Sequence, residues 1–263
     1  MRNGYSIFIE PALKPLYAKV LDRLFLCESQ YIPAFTEFYD PAKWAAFLDA
    51  VKRENTEVQA VAFGGVENCE RRMLGFFPLA YEPQNSDFPI VRLRISHNAK
   101  FNKTPRHQDY LGAILGLGLD RRCIGDIFIS NDDDFSEVFV SEDISGYIYE
   151  QLKKVGSVPV SARLISGDEM GLIKPQEAEE QLNVASLRLD AVAAAMFRLS
   201  RGKVAAFIDA EKVFVNWTAC TEAGKQLKSG DILSLRGYGR GRIGEIIQKT
   251  KKGRLRLAIY KAK

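Results

Sequence analysis

Ser200-Arg201-Gly202-Lys203-Val204-Ala205-Ala206-Phe207-Ile208 decides how the last third of this chain reads. A serine that can cap precedes Val204, Phe207 and Ile208, which share one helical face. The first turn places Arg201 and Lys203 beside the unpaired amides of a helix N-terminus, where the partial charge is already positive. That combination is a phosphate site. Working backward, Leu189, Val192, Ala193, Met196 and Phe197 follow the spacing of another amphipathic helix, with Ser186 as the expected cap. Working forward, residues 213–216 read as a strand, followed by Lys225, Lys228, the turn Gly230-Asp231 and a strand over 232–235.

The charge is distributed as this motif requires. From Ser186 to the end there are 17 Lys/Arg against 6 Asp/Glu, a net of +11, while residues 1–185 hold 20 against 27, a net of −7. The formal total of +4 hides a basic third on an acidic body, the pattern of one module that binds a polyanion. The composition, 46% hydrophobic and 27% charged over 263 residues, is that of a folded globular chain. No apolar run approaches the ~20 residues of a membrane span. The sequence from Met1 to Tyr5 lacks a signal-peptide layout, so a cytoplasmic location without membrane attachment is expected. Cys27, Cys69, Cys123 and Cys220 stand singly, with no pair at zinc-ligand spacing, so reduced thiols and no metal are expected.

Upstream, an α+β architecture is predicted. Residues 1–84 read as a small α/β domain with helices over 11–27 and from Asp40-Pro41, and strands over 58–63 and 73–79. In this stretch Arg71-Arg72 is expected to pair at the surface with Glu67 or Glu70. Residues 85–166 read β-α-β-β-α-β, the split-βαβ order, with strands at 89–96, 124–129, 137–141 and 158–165 and helices at 106–117 and 143–155. RNA-recognition sheets use this order, but Glu137-Val138-Phe139-Val140 is acidic where their aromatic signature carries Lys or Arg and glycine. Contacts to RNA from this domain would therefore run through Arg92, Arg94, Arg106, His107, Arg121 and Arg122, with Lys100 and Lys103, against phosphates. Residues 167–181 read as an acidic linker and 182–263 as the basic domain. Gly237-Tyr238-Gly239-Arg240-Gly241-Arg242 reads as an RNA-contacting or flexible loop.

Arg188-Leu189-Asp190, Ser200-Arg201-x-Lys203, Ile208, Val213-x-Val215-Asn216, Lys225 and Gly230-Asp231 together resemble the ribosomal-protein-S-four-type RNA-binding domain over about 186–240. Two residues depart from its pattern. Glu211 and Trp217 stand where the family usually has glycine, so the loops there are expected to be reshaped. The remainder widens the likeness: Phe63-Gly64-Gly65, Glu70-Arg71-Arg72, 106–112, Gly116-Leu117-Gly118 and Gly125-Asp126-Ile127 resemble the YlmH family over essentially the whole chain.

That resemblance implies a non-catalytic RNA-binding protein, cytoplasmic and ribosome-associated, without a small-molecule cofactor. It would dock on ribosomal RNA of the large subunit, with tRNA as a further partner, in quality control of subunits obstructed by peptidyl-tRNA. A monomer is expected. The RNA-binding set would comprise Arg188, Ser200, Arg201, Lys203, Asn216, Lys225, Lys228, Arg236, Arg240 and Arg242. The alternative is an RNA-modifying enzyme, of pseudouridine synthase or methyltransferase type, that docks through the same module. Arg188-Leu189-Asp190 superficially resembles the catalytic aspartate motif of pseudouridine synthases, but it leads into the apolar run 191–195 and reads as structure, with Asp190 expected to pair with a nearby arginine. Gly116-Leu117-Gly118 follows a helix and so makes a poor cofactor loop. His97 and His107 lack a nucleophile at a recognisable spacing. A protein-interaction scaffold built on the acidic body is the third reading.

Overall fold

The heptad-like run at Tyr17, Val20 and Leu24 folds as α1 (Lys14–Gln30), buries that stripe, and ends at Tyr31 in the left-handed region. The chain passes through β1 (Ala34–Phe35) into α2 (Pro41–Lys52), whose N-cap Asp40 accepts from the Lys43 amide, with Pro41 setting the first turn as expected. The strands β2 (Val58–Phe63) and β3 (Met73–Pro78) complete a three-stranded sheet in the order β1-β3-β2. This is a computed structural model that describes residues 9–54, 56–67, 69–98, 104–130, 134–165, 177–249 and 253–262. The chain divides into two units, 1–174 and 175–263, and the first holds both stretches read as separate domains.

The second sheet of the first unit comprises β4 (Ile90–His97), β5 (Ile124–Ile129), β6 (Phe135–Ser141), β7 (Lys154–Val155) and β8 (Val158–Ile165). Helices α3 (His107–Leu115) and α4 (Glu142–Gln151) connect β4 to β5 and β6 to β7. The order β5-β6-β4-β8-β7, antiparallel throughout, is the split-βαβ topology extended by one short strand. The stripe read as one helix over 143–155 is thus divided: α4 stops at Gln151, and Val155 joins the core from β7. Helix-facing Leu93, Ile95, Val138 and Val140 form the core with Tyr110, Ile114 and Ile148. Full burial of each aliphatic side chain contributes roughly 1.5–3 kcal/mol.

Residues read as surface features join the two sheets of this unit. Arg71 donates from Nε to the Ile124 carbonyl (2.9 Å) and from Nη2 to the Phe38 (2.9 Å) and Arg121 (3.2 Å) carbonyls. The Asp126 carboxylate accepts from the Glu70 and Arg71 amides. Arg72 donates to the Cys69 (3.0 Å) and Glu67 (2.8 Å) carbonyls and lies 5.0 Å from the Trp44 ring. The bonds of these two arginines to backbone oxygen give them a structural task that the expected surface pair with Glu67 or Glu70 did not include. Gly65 has φ 108 and packs so closely on Phe139 that a Cβ there would lie 2.2 Å from the ring.

The second unit begins earlier than the charge pattern suggested. β9 (Glu177–Val184) pairs along its length with β14 (Leu255–Ala262), so strand occupies residues 177–181 of the expected linker; residues 167–176 lie outside the described chain. Its partner lies far along the chain, from Val184 against Leu255 to Glu177 against Ala262, which hides it from local patterning. α5 (Leu189–Phe197) and α6 (Arg201–Asp209) follow. The N-cap of α5 is Arg188, so Ser186 does not cap it. Then come β10 (Val213–Val215), β11 (Thr218–Ala219), β12 (Ile232–Leu235) and β13 (Gly239–Lys249). The six-stranded sheet runs β11-β10-β12-β13-β14-β9. The glycine-arginine run read as a loop is mostly strand: Arg240 pairs with Ser234 and Arg242 with Ile232, leaving only the turn around Tyr238. The core joins Leu189, Val192 and Met196 to Val204, Ile208, Val213, Leu233 and Ile259.

Glu211 and Trp217 adopt φ 54 and 63, the left-handed backbone that glycine takes without strain. Glu211 ends the turn after α6, and Asn216 (φ 49) with Trp217 forms the two-residue connection between β10 and β11 in which both central residues need positive φ. The backbone at both departures is therefore one that glycine adopts readily. Glu211→Gly and Trp217→Gly should each stabilise the second unit by about 1 kcal/mol, read as a higher denaturation midpoint.

Candidate nucleic-acid interface

α6 presents the predicted site. Ser200 has extended backbone and its Oγ accepts from the Lys203 amide at 3.3 Å, while the Arg201 and Lys203 side chains are exposed in the first turn. One first-turn amide is thereby satisfied by the cap, and the exposed first turn carries two cations beside the positive end of the helix. No acidic residue lies in this first turn.

Arg188 and Asp190 form a two-pronged pair, Nε to Oδ1 at 3.0 Å and Nη2 to Oδ2 at 3.3 Å. The hydrogen bonds from Arg188, and more weakly the charge of Arg201, hold the Asp190 carboxyl below its ordinary range. Arg188 also lies beside Gly224, and the Leu189 amide donates to the Lys225 carbonyl, so Arg188 and Lys225 are neighbours. Asp190 thus pairs with an arginine, as the sequence indicated.

The other expected residues divide. Asn216 is engaged on both sides of its amide: Nδ2 donates to Asp231 Oδ1 and Oδ1 accepts from the Ile232 amide, each at 2.9 Å. Its task in this structure is to close the turn. Asp231 also accepts from the Lys228 amide at 2.8 Å, which fixes that loop while leaving the Lys228 side chain exposed. Arg236 lies 5.6 Å from the Phe214 ring and Arg242 4.5 Å from the Tyr260 ring. Arg240 is exposed at the start of β13.

The structure sets Lys203 with Tyr238 of the glycine-arginine run and Phe207 of the helix face, and adds Lys212, which the sequence reading did not single out. Lys203 Nζ is 5.9 Å from the centroid of Tyr238, Tyr238 packs against Phe207 at 5.5 Å, and Lys212 Nζ is 5.9 Å from the Phe207 centroid. The Arg236 amide donates to the Lys212 carbonyl at 3.0 Å. A strip in which Lys203 and Lys212 flank the paired rings of Tyr238 and Phe207 therefore runs along α6. The helical spacing of Lys203 and Phe207 was the available signal; the turn that carries Tyr238 comes from outside the helix.

The secondary set in the first unit is mostly engaged. Arg92 and Arg94 both converge on Glu137 Oε1, at 2.6 and 2.7 Å, with side chains 13% and 14% exposed around a carboxylate only 1% exposed. Arg121 is half-buried, donating to the Ile124 and Gly125 carbonyls, and burial beside Arg71 pushes its guanidinium down to about 10. These three are engaged in the packing of the unit, a task that the expected phosphate contact did not include. Arg122 pairs with Asp120 (2.8 Å) and Glu37 (3.2 Å), and exposed Arg106 pairs with Asp109 (3.2 Å). His107 is exposed at the start of α3. Lys100 and Lys103 lie outside the described residues.

Comparison with known proteins follows the same division. Residues 83–169 match the family model described as "Putative RNA-binding domain in YlmH", and residues 187–233 match the S4 domain. The ribosome-associated protein quality control protein P2 of Bacillus subtilis (strain 168) is 32% identical over 238 residues, which are 90% of this chain and 91% of that protein. Among solved structures, cell division protein ylmH from Streptococcus pneumoniae shares the fold with a TM-score of 0.52 at 22% identity, over 60% of this chain and 93% of that one.

Proposed function

The chain belongs to the YlmH family and carries an S4 domain, and from this we propose that it is a non-catalytic protein that docks on RNA of the large ribosomal subunit. Its place would be the cytoplasm, in quality control of subunits obstructed by peptidyl-tRNA, with tRNA as a second RNA partner. The name of the Bacillus relative, similar along nine-tenths of this chain, supports the ribosomal setting. The observation that carries the reading is the N-terminus of α6, where a capped helix end meets exposed Arg201 and Lys203. Ser200, Arg201 and Lys203 would hold phosphate, and Arg188, Lys225, Lys228, Arg236, Arg240 and Arg242 would extend the positive surface.

The engagement of Asp190 by Arg188, in a first turn whose neighbours Leu189 and Ala191 are buried, supports a structural task for the one aspartate that resembled a catalytic motif. Cross-linking the protein to RNA in growing cells, and mapping the attached nucleotides, tests the proposal. Contacts concentrated in large-subunit ribosomal RNA, with tRNA alongside, are expected. Contacts confined to the small subunit or to messenger RNA would overturn it.

A further inference from the structure

Tyr238 stands at the turn between β12 and β13, flanked by Gly237 and Gly239 at φ 85 and 101. The two glycines satisfy the backbone of this turn, which has no need of a ring between them. The tyrosine is nevertheless 44% exposed, held by a tilted edge contact with Phe207 (interplanar angle 62°) and adjoined by the Lys203 ammonium. An aromatic ring restrained by a neighbour and left half open beside a cation is how proteins receive an unpaired nucleobase.

The surroundings extend the pattern. Lys203 stands in the first turn of α6, and Lys212 follows three residues after its last residue, Asp209, beyond the left-handed Glu211. Between and beside them lie Tyr238, Phe207, and Arg236 on Phe214. Paired RNA offers this strip only phosphates and sugars, because its bases are stacked in the helix. An unpaired segment offers phosphates to the lysines and a base face to the ring.

We propose that the α6 strip takes an unpaired segment of RNA, with one base stacked on Tyr238 and the adjoining phosphate at the N-terminus of α6. This rests on the reading that α6 docks RNA, and it names the form of RNA that docks there.

The test compares the full chain on two RNAs at one salt concentration, a fully paired duplex and a stem of matched length closed by an unpaired loop. Tyr238→Leu should lose roughly tenfold or more in affinity for the looped RNA and little for the duplex, while Tyr238→Phe keeps both. Stacking releases no counterions, so the leucine variant should retain the wild-type slope of log affinity against log salt. A fluorescent adenine analogue in the loop should be quenched on binding wild type and remain bright on Tyr238→Leu. Equal affinity of wild type and Tyr238→Leu for the looped RNA, or equal losses on both RNAs, would overturn the stacking proposal. Failure of the underlying reading looks different: Arg201→Ala with Lys203→Ala would then leave both RNAs bound as by wild type.

Discussion

The double variant Arg201→Ala, Lys203→Ala should bind RNA roughly ten- to a hundredfold more weakly than wild type at matched salt while keeping its fold. Both side chains are exposed and contribute nothing to the core of the second unit, which is built from Leu189, Val192, Val204, Ile208 and their neighbours. The Ser200 cap and its bond to the Lys203 amide also survive, because the bond uses backbone at 203. What is lost is the pair of cations at a helix end that already attracts anions. Each phosphate contact removed should lower the slope of log affinity against log salt by about 1, so the variant's slope should fall by about 2. A titration series across salt concentrations checks both. An unchanged slope with weakened binding would instead point to disturbed folding.

Glu137→Ala should destabilise the first unit by about 3–5 kcal/mol, because it removes the buried carboxylate that two largely buried guanidiniums share. Arg92 Nη2 and Arg94 Nη2 reach the same carboxylate oxygen, Arg92 is only 13% exposed, and Arg94 lies 4.1 Å from the Phe135 ring, which it would leave on swinging into water. The chain has two tryptophans, Trp44 in the first unit and Trp217 in the second. In a Trp217→Phe background, Trp44 fluorescence during denaturation reports the first unit alone. A loss under 1 kcal/mol would show that the arginines relax to solvent, and would restore Arg92 and Arg94 as candidates for phosphate contact.

The parts legible in the sequence were those fixed by local chemistry. A cap, a helical apolar stripe and two first-turn cations lie within nine residues, and α6 forms where they indicate. Alternation of Val91, Leu93 and Ile95 gave β4, and the split-βαβ order followed from strands and helices that are each locally patterned. The rest depended on partners distant along the chain. β9 is acidic and becomes strand through β14. Gly244 in β13 lies where a Cβ would come within 2.7 Å of Tyr260, a close approach between strands that nothing local in the sequence announces. Charge alone also could not separate Arg201, which faces water, from Arg92, which faces a buried glutamate. The net charge of +11 marks the third of the chain that matches the S4 domain; the geometry determines which of its cations stand together and which rings lie between them.

Sedimentation with purified large ribosomal subunits, comparing wild type and Arg201→Ala, Lys203→Ala at the same salt, tests the central claim most directly. Wild type should travel with the subunit, most strongly when peptidyl-tRNA is in place, and the double variant should remain at the top of the gradient. Co-sedimentation of the folded double variant at the wild-type level would contradict the account.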